Sequence, residues 1–278
     1  MRIITEETID SFRKELVLEE KSKATVDKYV RDILAFAKYA EGKEIDKELV
    51  IAYKRILVDK YAVRSVNSIV ASINSFFNYL CWHECKMKTI KLQQQIFCPE
   101  EKELTKEEYI RLCKAAEKRH NERLGLIIQT ICGTGIRVSE LQFITVEAVK
   151  NSEAITSCKA KTRSVFIVKK LQKKLLKYAA KHNIHSGMIF TSRNGNPINR
   201  TNIWREMKSL CAEANVNPKK VFPHNLRHLF ARVFYGIEKD IAKLADILGH
   251  SNINTTRIYI ISSGFEHRKK MESMRLII

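Results

Sequence analysis

Pro223-His224-Asn225-Leu226-Arg227-His228, followed through Leu248-Gly249-His250 to Thr256-Arg257-Ile258-Tyr259, is the stretch around which the chain is organised. Its pattern reads as helix-turn-helix-turn-helix. Within fewer than forty residues it gathers His224, Arg227, His228, His250 and Tyr259. Arginine offers a planar fork that grips two phosphate oxygens and keeps its charge. Histidine handles protons near neutral pH, and tyrosine carries an oxygen that can serve as nucleophile. Together these are the means to hold a phosphate and attack it.

Upstream, the back half of the chain opens with Leu104-Thr105-Lys106-Glu107-Glu108, where Thr105 and Glu108 have the spacing of a capping box. An apolar helix is predicted over roughly 122–132. It ends at Gly133-Thr134-Gly135, and Ile136-Arg137-Val138-Ser139-Glu140-Leu141 begins another helix. The glycine pair is not a dinucleotide loop, because position 138 is valine and no strand precedes it. Three β-prone runs follow, at 143–149, 153–158 and 163–168. The last two flank Lys159-Ala160-Lys161, a basic hairpin turn. Helices return at about 169–182 and 201–214, separated by the turn cluster Arg193-Asn194-Gly195-Asn196-Pro197. A mostly helical domain with a small antiparallel sheet is expected.

The front half reads as four helices. Thr5-Glu6-Glu7-Thr8 starts the first, with Ile9, Phe12 and Leu16 at helical spacing. The second runs from about Ala24 to Glu41 and stops at Gly42, the third is capped by Asp46, and the fourth covers 62–83. Four helices with short links make a small bundle. The stretch from Cys85 to Glu103, with Pro99 and a run of charges, reads as a linker. The expected organisation is therefore a helical domain at 1–84, a linker at 85–103, and a second domain at 104–278 with a tail from about 264. Cys81-Trp82-His83-Glu84-Cys85 matches no common zinc spacing, so incidental thiols are the reading there.

Composition supports two domains and a polyanionic partner. The 278 residues, 45% hydrophobic, suffice for two packed cores. No apolar run approaches the roughly 20 residues that span a bilayer. The first residues lack a signal peptide's apolar core. Seven cysteines without a shared spacing fit a reduced, cytosolic protein. The net charge of +19 is uneven. Residues 1–103 hold 18 Lys and Arg against 17 Asp and Glu, a net of +1; residues 104–278 hold 32 against 14, a net of +18. An excess of that size on one half points to nucleic acid.

Taken in order, Gly133-Thr134-Gly135-Ile136-Arg137-Val138-Ser139-Glu140-Leu141, His224-x-x-Arg227-His228, Leu248-Gly249-His250 and Tyr259 resemble the tyrosine recombinase (phage integrase) family, of the two-domain, Xer-like kind. The resemblance spans essentially the whole chain. It implies a mainly α fold: an N-terminal four-helix, SAM-like core-binding domain before a mostly helical catalytic domain of the DNA breaking-rejoining type.

The resemblance also implies roles. Arg137 and Arg227 would clamp a scissile phosphate; an Arg137–Glu140 ion pair at i, i+3 could coexist with that clamp. Tyr259 would be the nucleophile, its hydroxyl (ordinary pKa about 10) activated by the surrounding cations and histidines. Ile258 and Ile260 would form the buried face, turning Tyr259 toward the cleft, and Tyr235 would be a core residue. His224 and His250 would handle protons and donate hydrogen bonds. His228, one turn after His224, would brace the helix. The His224/His228 pair is no zinc motif, since Asn225 stands where a metalloprotease needs glutamate.

A lysine of the hairpin turn would be the general acid. That turn is a residue shorter than the family's common form, so Lys159 and Lys161 both fit, with Lys159 the assignment. No cofactor and no metal are implied. The partner would be double-stranded DNA, bound by four copies on two sites. The apolar tail (Phe265, Met271, Met274, Leu276, Ile277, Ile278) would pack on a neighbouring copy. Two other readings stand beside this one: a type IB topoisomerase-like enzyme, and a non-enzymatic basic DNA-binding protein. Whether a recombinase would integrate, excise, invert or resolve dimers is not legible.

Overall fold

A computed structural model describes residues 2–91, 103–158, 161–192, 194–260 and 272–274. The chain divides into two compact units, Met1–Gln94 and Gln95–Ile278. Among the described residues, no helix is long and apolar enough to cross a membrane.

The first unit holds α1 (Glu6–Leu18), α2 (Lys23–Tyr39), α3 (Lys47–Lys60) and α4 (Val63–Tyr79). Thr5, Ser22 and Asp46 each accept a backbone N–H of the first turn, so three of the four starts are fixed by the side chains that precede them. The apolar stripes meet in a core built on Phe12, Phe36, Phe76 and Phe77, all nearly inaccessible. Phe12 meets Phe76 edge-on at 5.2 Å. Truncating such a ring to alanine costs about 3–5 kcal/mol. A polar cluster ties α2 to α4: Ser72 Oγ donates to buried Asp32 Oδ2 (2.8 Å), and Lys28 Nζ donates to both Asp32 Oδ2 (2.6 Å) and Ser72 Oγ (2.8 Å). Beyond α4, Asn74 holds both backbone groups of Met87 and Asn67 those of Ile90, so residues 85–90 lie against this bundle. Residues 92–102 of the expected linker lie outside the described residues.

The second unit is built around α6 (Glu122–Thr134), whose Leu124, Ile127, Ile128 and Ile131 are all buried. A helix apolar on so many faces belongs inside a domain. Around it lie α5 (Lys106–Lys118), α7 (Val146–Lys150), α8 (Lys169–Lys181), α9 (Arg200–Ser209), α10 (Cys211–Ala214) and α11 (Pro223–Glu238), followed by α12 (Ile241–Leu248) and α13 (Ile253–Ile260). The capping box of α5 forms: Thr105 Oγ1 accepts from Glu108 N, and Glu108 Oε2 accepts from Thr105 N. The sheet is one antiparallel pair, β1 (Glu153–Cys158) and β2 (Lys161–Phe166), with Cys158 opposite Lys161.

Four local expectations are corrected. The run 143–149 is not a strand but α7, because Thr145 Oγ1 accepts the N–H of Ala148 and starts a helical turn. Residues 138–143 form a 3₁₀ segment rather than the start of an α-helix, and 201–214 is broken into α9 and α10 at Leu210. Lys161 belongs to β2, so only residues 159 and 160 join the strands.

Candidate active site

The site begins at the end of α6. Gly135 closes that helix in the left-handed conformation, φ +65°, and a Cβ there would lie 2.5 Å from Cδ1 of Phe230. Only glycine satisfies both conditions. The chain then turns extended at Arg137, whose N–H donates to Glu140 Oε2 (2.9 Å) and whose Nη1 donates to Glu140 Oε1 (2.8 Å). Nη2 reaches the carbonyl of Gly249 at 3.3 Å. The i, i+3 ion pair therefore exists and aims the guanidinium.

Glu140 is 1% exposed and serves a second arginine. Arg163 of β2 donates Nη2 to Glu140 Oε2 (2.7 Å) and Nη1 to the carbonyl of Ile247. Burial alone would push the Glu140 carboxyl up. The N–H of Arg137 and the charges of Arg163 and Arg137 outweigh it and hold the pKa below the ordinary value. A buried carboxylate with two guanidinium partners leaves a net positive charge at the site.

Arg227, on the second turn of α11, is 2% exposed. Its Nη1 donates to Gly135 O, and its Nη2 donates to Leu248 O (2.6 Å) and to His250 Nε2 (3.0 Å). Its Nε is buried with no partner among the described residues. Burial, then the nearby charge of Arg137, lowers its pKa to about 10, so it stays protonated at neutral pH. Arg137, Arg227 and His224 share the wall of a cavity of about 930 Å³, opposite Arg200 and Trp204 of α9. Converging guanidiniums and an unfilled donor suit an anion of phosphate size.

The second half of the site hangs on Gly249. It ends α12 with φ +64°, and a Cβ there would fall 2.4 Å from Cδ of Arg163. His250 follows. Its Nε2 accepts from Arg227, which assigns the proton to Nδ1, and Nδ1 donates to Thr256 Oγ1 (2.9 Å). Burial, then Arg227 and Arg137, lowers the His250 pKa to about 4, so the ring is neutral.

Tyr259 is 6% exposed in α13. Its hydroxyl lies 3.4 Å from His224 Nε2. Partial burial and the charges of Arg227, Arg200 and Arg137 hold His224 below the ordinary imidazole value, so the ring is neutral near pH 7, and its Nδ1–H tautomer leaves Nε2 free to accept from the tyrosine hydroxyl. The phenol ring stacks on His228 at 4.1 Å and stands 5.2 Å from His250.

The structure thus brings Arg137, His224, Arg227, His250 and Tyr259 into one site. Lys159 lies outside the described residues, and of Lys161 only the strand position is described. The expected buried face of α13 is corrected. Thr256 and Tyr259, three residues apart, face inward, while Ile258 is 50% exposed. Tyr235 packs partly buried beside Ala231, Leu244 and Tyr259. Arg163, Thr256 and the α9 wall were not singled out by the sequence. For Arg163 a signal existed: strand parity puts it on the face of buried Val165, opposite Thr156. Among the described residues, no three His, Cys, Asp or Glu side chains are placed to share a metal ion.

Residues 102–264 match the model of the "Phage integrase family", and residues 9–84 that of the "Phage integrase, N-terminal SAM-like domain". The tyrosine recombinase XerA of Pyrococcus horikoshii is 26% identical over 285 residues, covering 99% of this chain and 96% of the relative. The tyrosine recombinase XerH of Campylobacter jejuni is 29% identical over 255 residues, 84% of this chain and 72% of the relative. Among solved structures, the XerH recombinase bound to its difH substrate superposes with a TM-score of 0.71 at 17% identity, covering 96% of this chain and 84% of that one. A lambda integrase tetramer bound to a Holliday junction gives 0.73 at 17%, covering 91% and 76%. At that identity the likeness is one of fold.

Proposed function

Because the chain belongs to the phage integrase family, we propose that it is a tyrosine-type site-specific DNA recombinase with Tyr259 as its nucleophile. The observation that carries the proposal is the Tyr259 hydroxyl 3.4 Å from His224, a residue that lines the same pocket as Arg137 and Arg227.

The roles follow from chemistry. The scissile phosphate sits between Arg137 and Arg227, and the free Nε of Arg227 meets one of its oxygens. Phosphoryl transfer depends on position and charge, and fixed donors aimed at the developing charge are its largest aid; losing one typically costs about 100- to 1,000-fold in rate. The Tyr259 oxygen attacks phosphorus while its proton passes to His224 Nε2. A 3′-phosphotyrosyl bond forms, the bond to the 5′ oxygen breaks, and a hairpin lysine protonates the departing oxygen. Lys159 remains the assigned acid and Lys161 its competitor. His250, held by Thr256, buttresses Arg227. The covalent link keeps the ester's energy, so a 5′ hydroxyl from a partner duplex reseals the strand without ATP.

The protein works on DNA as an oligomer, in keeping with the DNA-bound dimer and tetramer among its fold neighbours. The finer reading is four copies on two sites. The apolar tail would join them, although apart from residues 272–274 it lies outside the described residues. Truncation after Gly264 is then expected to weaken assembly on DNA at unchanged binding of one protomer, and unchanged assembly contradicts that role. The function itself is tested with nicked suicide substrates cut from DNA flanking the gene. A recombinase leaves a covalent adduct at one site only. Relaxation of supercoils at no particular site would instead indicate a topoisomerase, and binding without any adduct a DNA-binding protein.

A further inference from the structure

Three imidazoles surround the Tyr259 ring, and they do different things. His224 meets its hydroxyl, and His250 faces away to Arg227 and Thr256. His228 itself does not line the pocket. It lies face to face with the phenol, centroids 4.1 Å apart and planes 25° from parallel. Its other neighbour is His224, met edge-on at 4.9 Å and 85°. One ring is therefore the common neighbour of the proton donor and the proton acceptor.

We propose that His228 is a positioning residue: its ring fixes the Tyr259 phenol by stacking and the His224 imidazole by edge contact, and so sets the line along which the hydroxyl proton leaves. The role rests on Tyr259 being the nucleophile. Stacked and edge-to-face aromatic pairs have preferred geometries that a rounded aliphatic side chain does not supply. Tyr259 needs such a restraint because its helix presents the ring to a cluster in which Phe230, Phe234 and Tyr235 are only partly buried. His228 takes no part in the proton transfer itself. Burial lowers its pKa to about 3, leaving a neutral ring at the pH where the enzyme works. Its place beside Arg227 puts the restraint on the same helix as the phosphate clamp, so nucleophile and electrophile share one rigid support.

The test compares wild type with His228→Ala, His228→Leu and His228→Phe in single-turnover cleavage of a nicked suicide substrate and in DNA affinity. Leucine fills the volume without a ring face, which separates stacking from mere loss of packing. His228→Ala and His228→Leu are expected to cleave about 10- to 100-fold more slowly at unchanged DNA affinity, the scale of a misplacement near 1 Å. His228→Phe is expected to restore cleavage to within roughly threefold of wild type. In protein labelled with 3-fluorotyrosine, the ¹⁹F resonance of Tyr259, assigned by its loss in Tyr259→Phe, should move in the alanine and leucine variants and return toward its place in the phenylalanine variant. Wild-type rates in His228→Leu, an unmoved resonance, or a phenylalanine variant as slow as alanine would each overturn the role. No adduct with wild type would overturn the recombinase reading and take this role with it.

Discussion

Nη2 of Arg227 donates to Nε2 of His250 over 3.0 Å, and that contact sets where His250 carries its proton. An imidazole nitrogen that accepts from a guanidinium carries no proton, so His250 is neutral and its proton sits on Nδ1, toward Thr256. The Nε of Arg227 is buried without a hydrogen-bond partner among the described residues. Both residues come from the opening stretch, yet the contact depends on Gly135 and Gly249 giving way to let the chain turn.

The neutral imidazoles give a pH dependence. In the unfolded chain histidine binds its proton below about pH 6.5. In the fold His250 does so only at about 4 and His228 at about 3. The unfolded chain therefore takes up more protons as pH falls, and stability is fully present above about 6.5 and lost progressively below it. Glu140, held below its ordinary 4.5, adds a loss only at still lower pH. Calorimetry between pH 7 and 5 should show the melting temperature falling, and falling less steeply in His228→Phe. Equal slopes in the two proteins would contradict the shift assigned to His228.

Two glycines in the same backbone conformation should respond differently to a methyl group. At Gly42, φ +72°, a Cβ meets nothing within 4 Å, so Gly42→Ala carries backbone strain alone, about 1 kcal/mol. At Gly249, φ +64°, the Cβ lands on Arg163 and must displace the arginine that holds Glu140. Gly249→Ala should cost about 2–4 kcal/mol in urea unfolding and slow cleavage at least tenfold. Equal losses at the two positions would show that the Arg163 contact is unimportant.

The choice of general acid is decided by a substrate whose bridging 5′ oxygen is sulfur, because a thiolate leaves without a proton. Lys159→Ala should abolish cleavage of the ordinary substrate and cut the sulfur substrate near the wild-type rate, while Lys161→Ala cuts both. The reverse pattern assigns the role to Lys161.

Much of this was legible in the sequence because its signals are local. The caps at Thr5, Asp46 and Thr105 and the apolar stripes lie in neighbouring residues, and Arg137, His224, Arg227, His250 and Tyr259 each sit in a short run whose residues identify it. What was not legible depends on contacts across the fold. Thr145 turns a β-prone run into α7 through one cap. Ile258 is exposed and Tyr259 buried because α13 packs on α11 and α12, which periodicity over eight residues cannot orient. Arg163 gains its structural task only from the placement of Glu140 and the carbonyl of Ile247.

In the proposed reaction the phenolic oxygen of Tyr259 becomes bonded to DNA. The most direct measurement is to trap the adduct on a nicked suicide substrate, digest it, and identify the nucleotide-bearing peptide by mass. A single modified peptide carrying a 3′-phosphonucleotide at Tyr259 is expected, and no adduct with Tyr259→Phe at unchanged DNA affinity. An adduct at Tyr235 or any other residue, or one that survives Tyr259→Phe, would contradict that reaction.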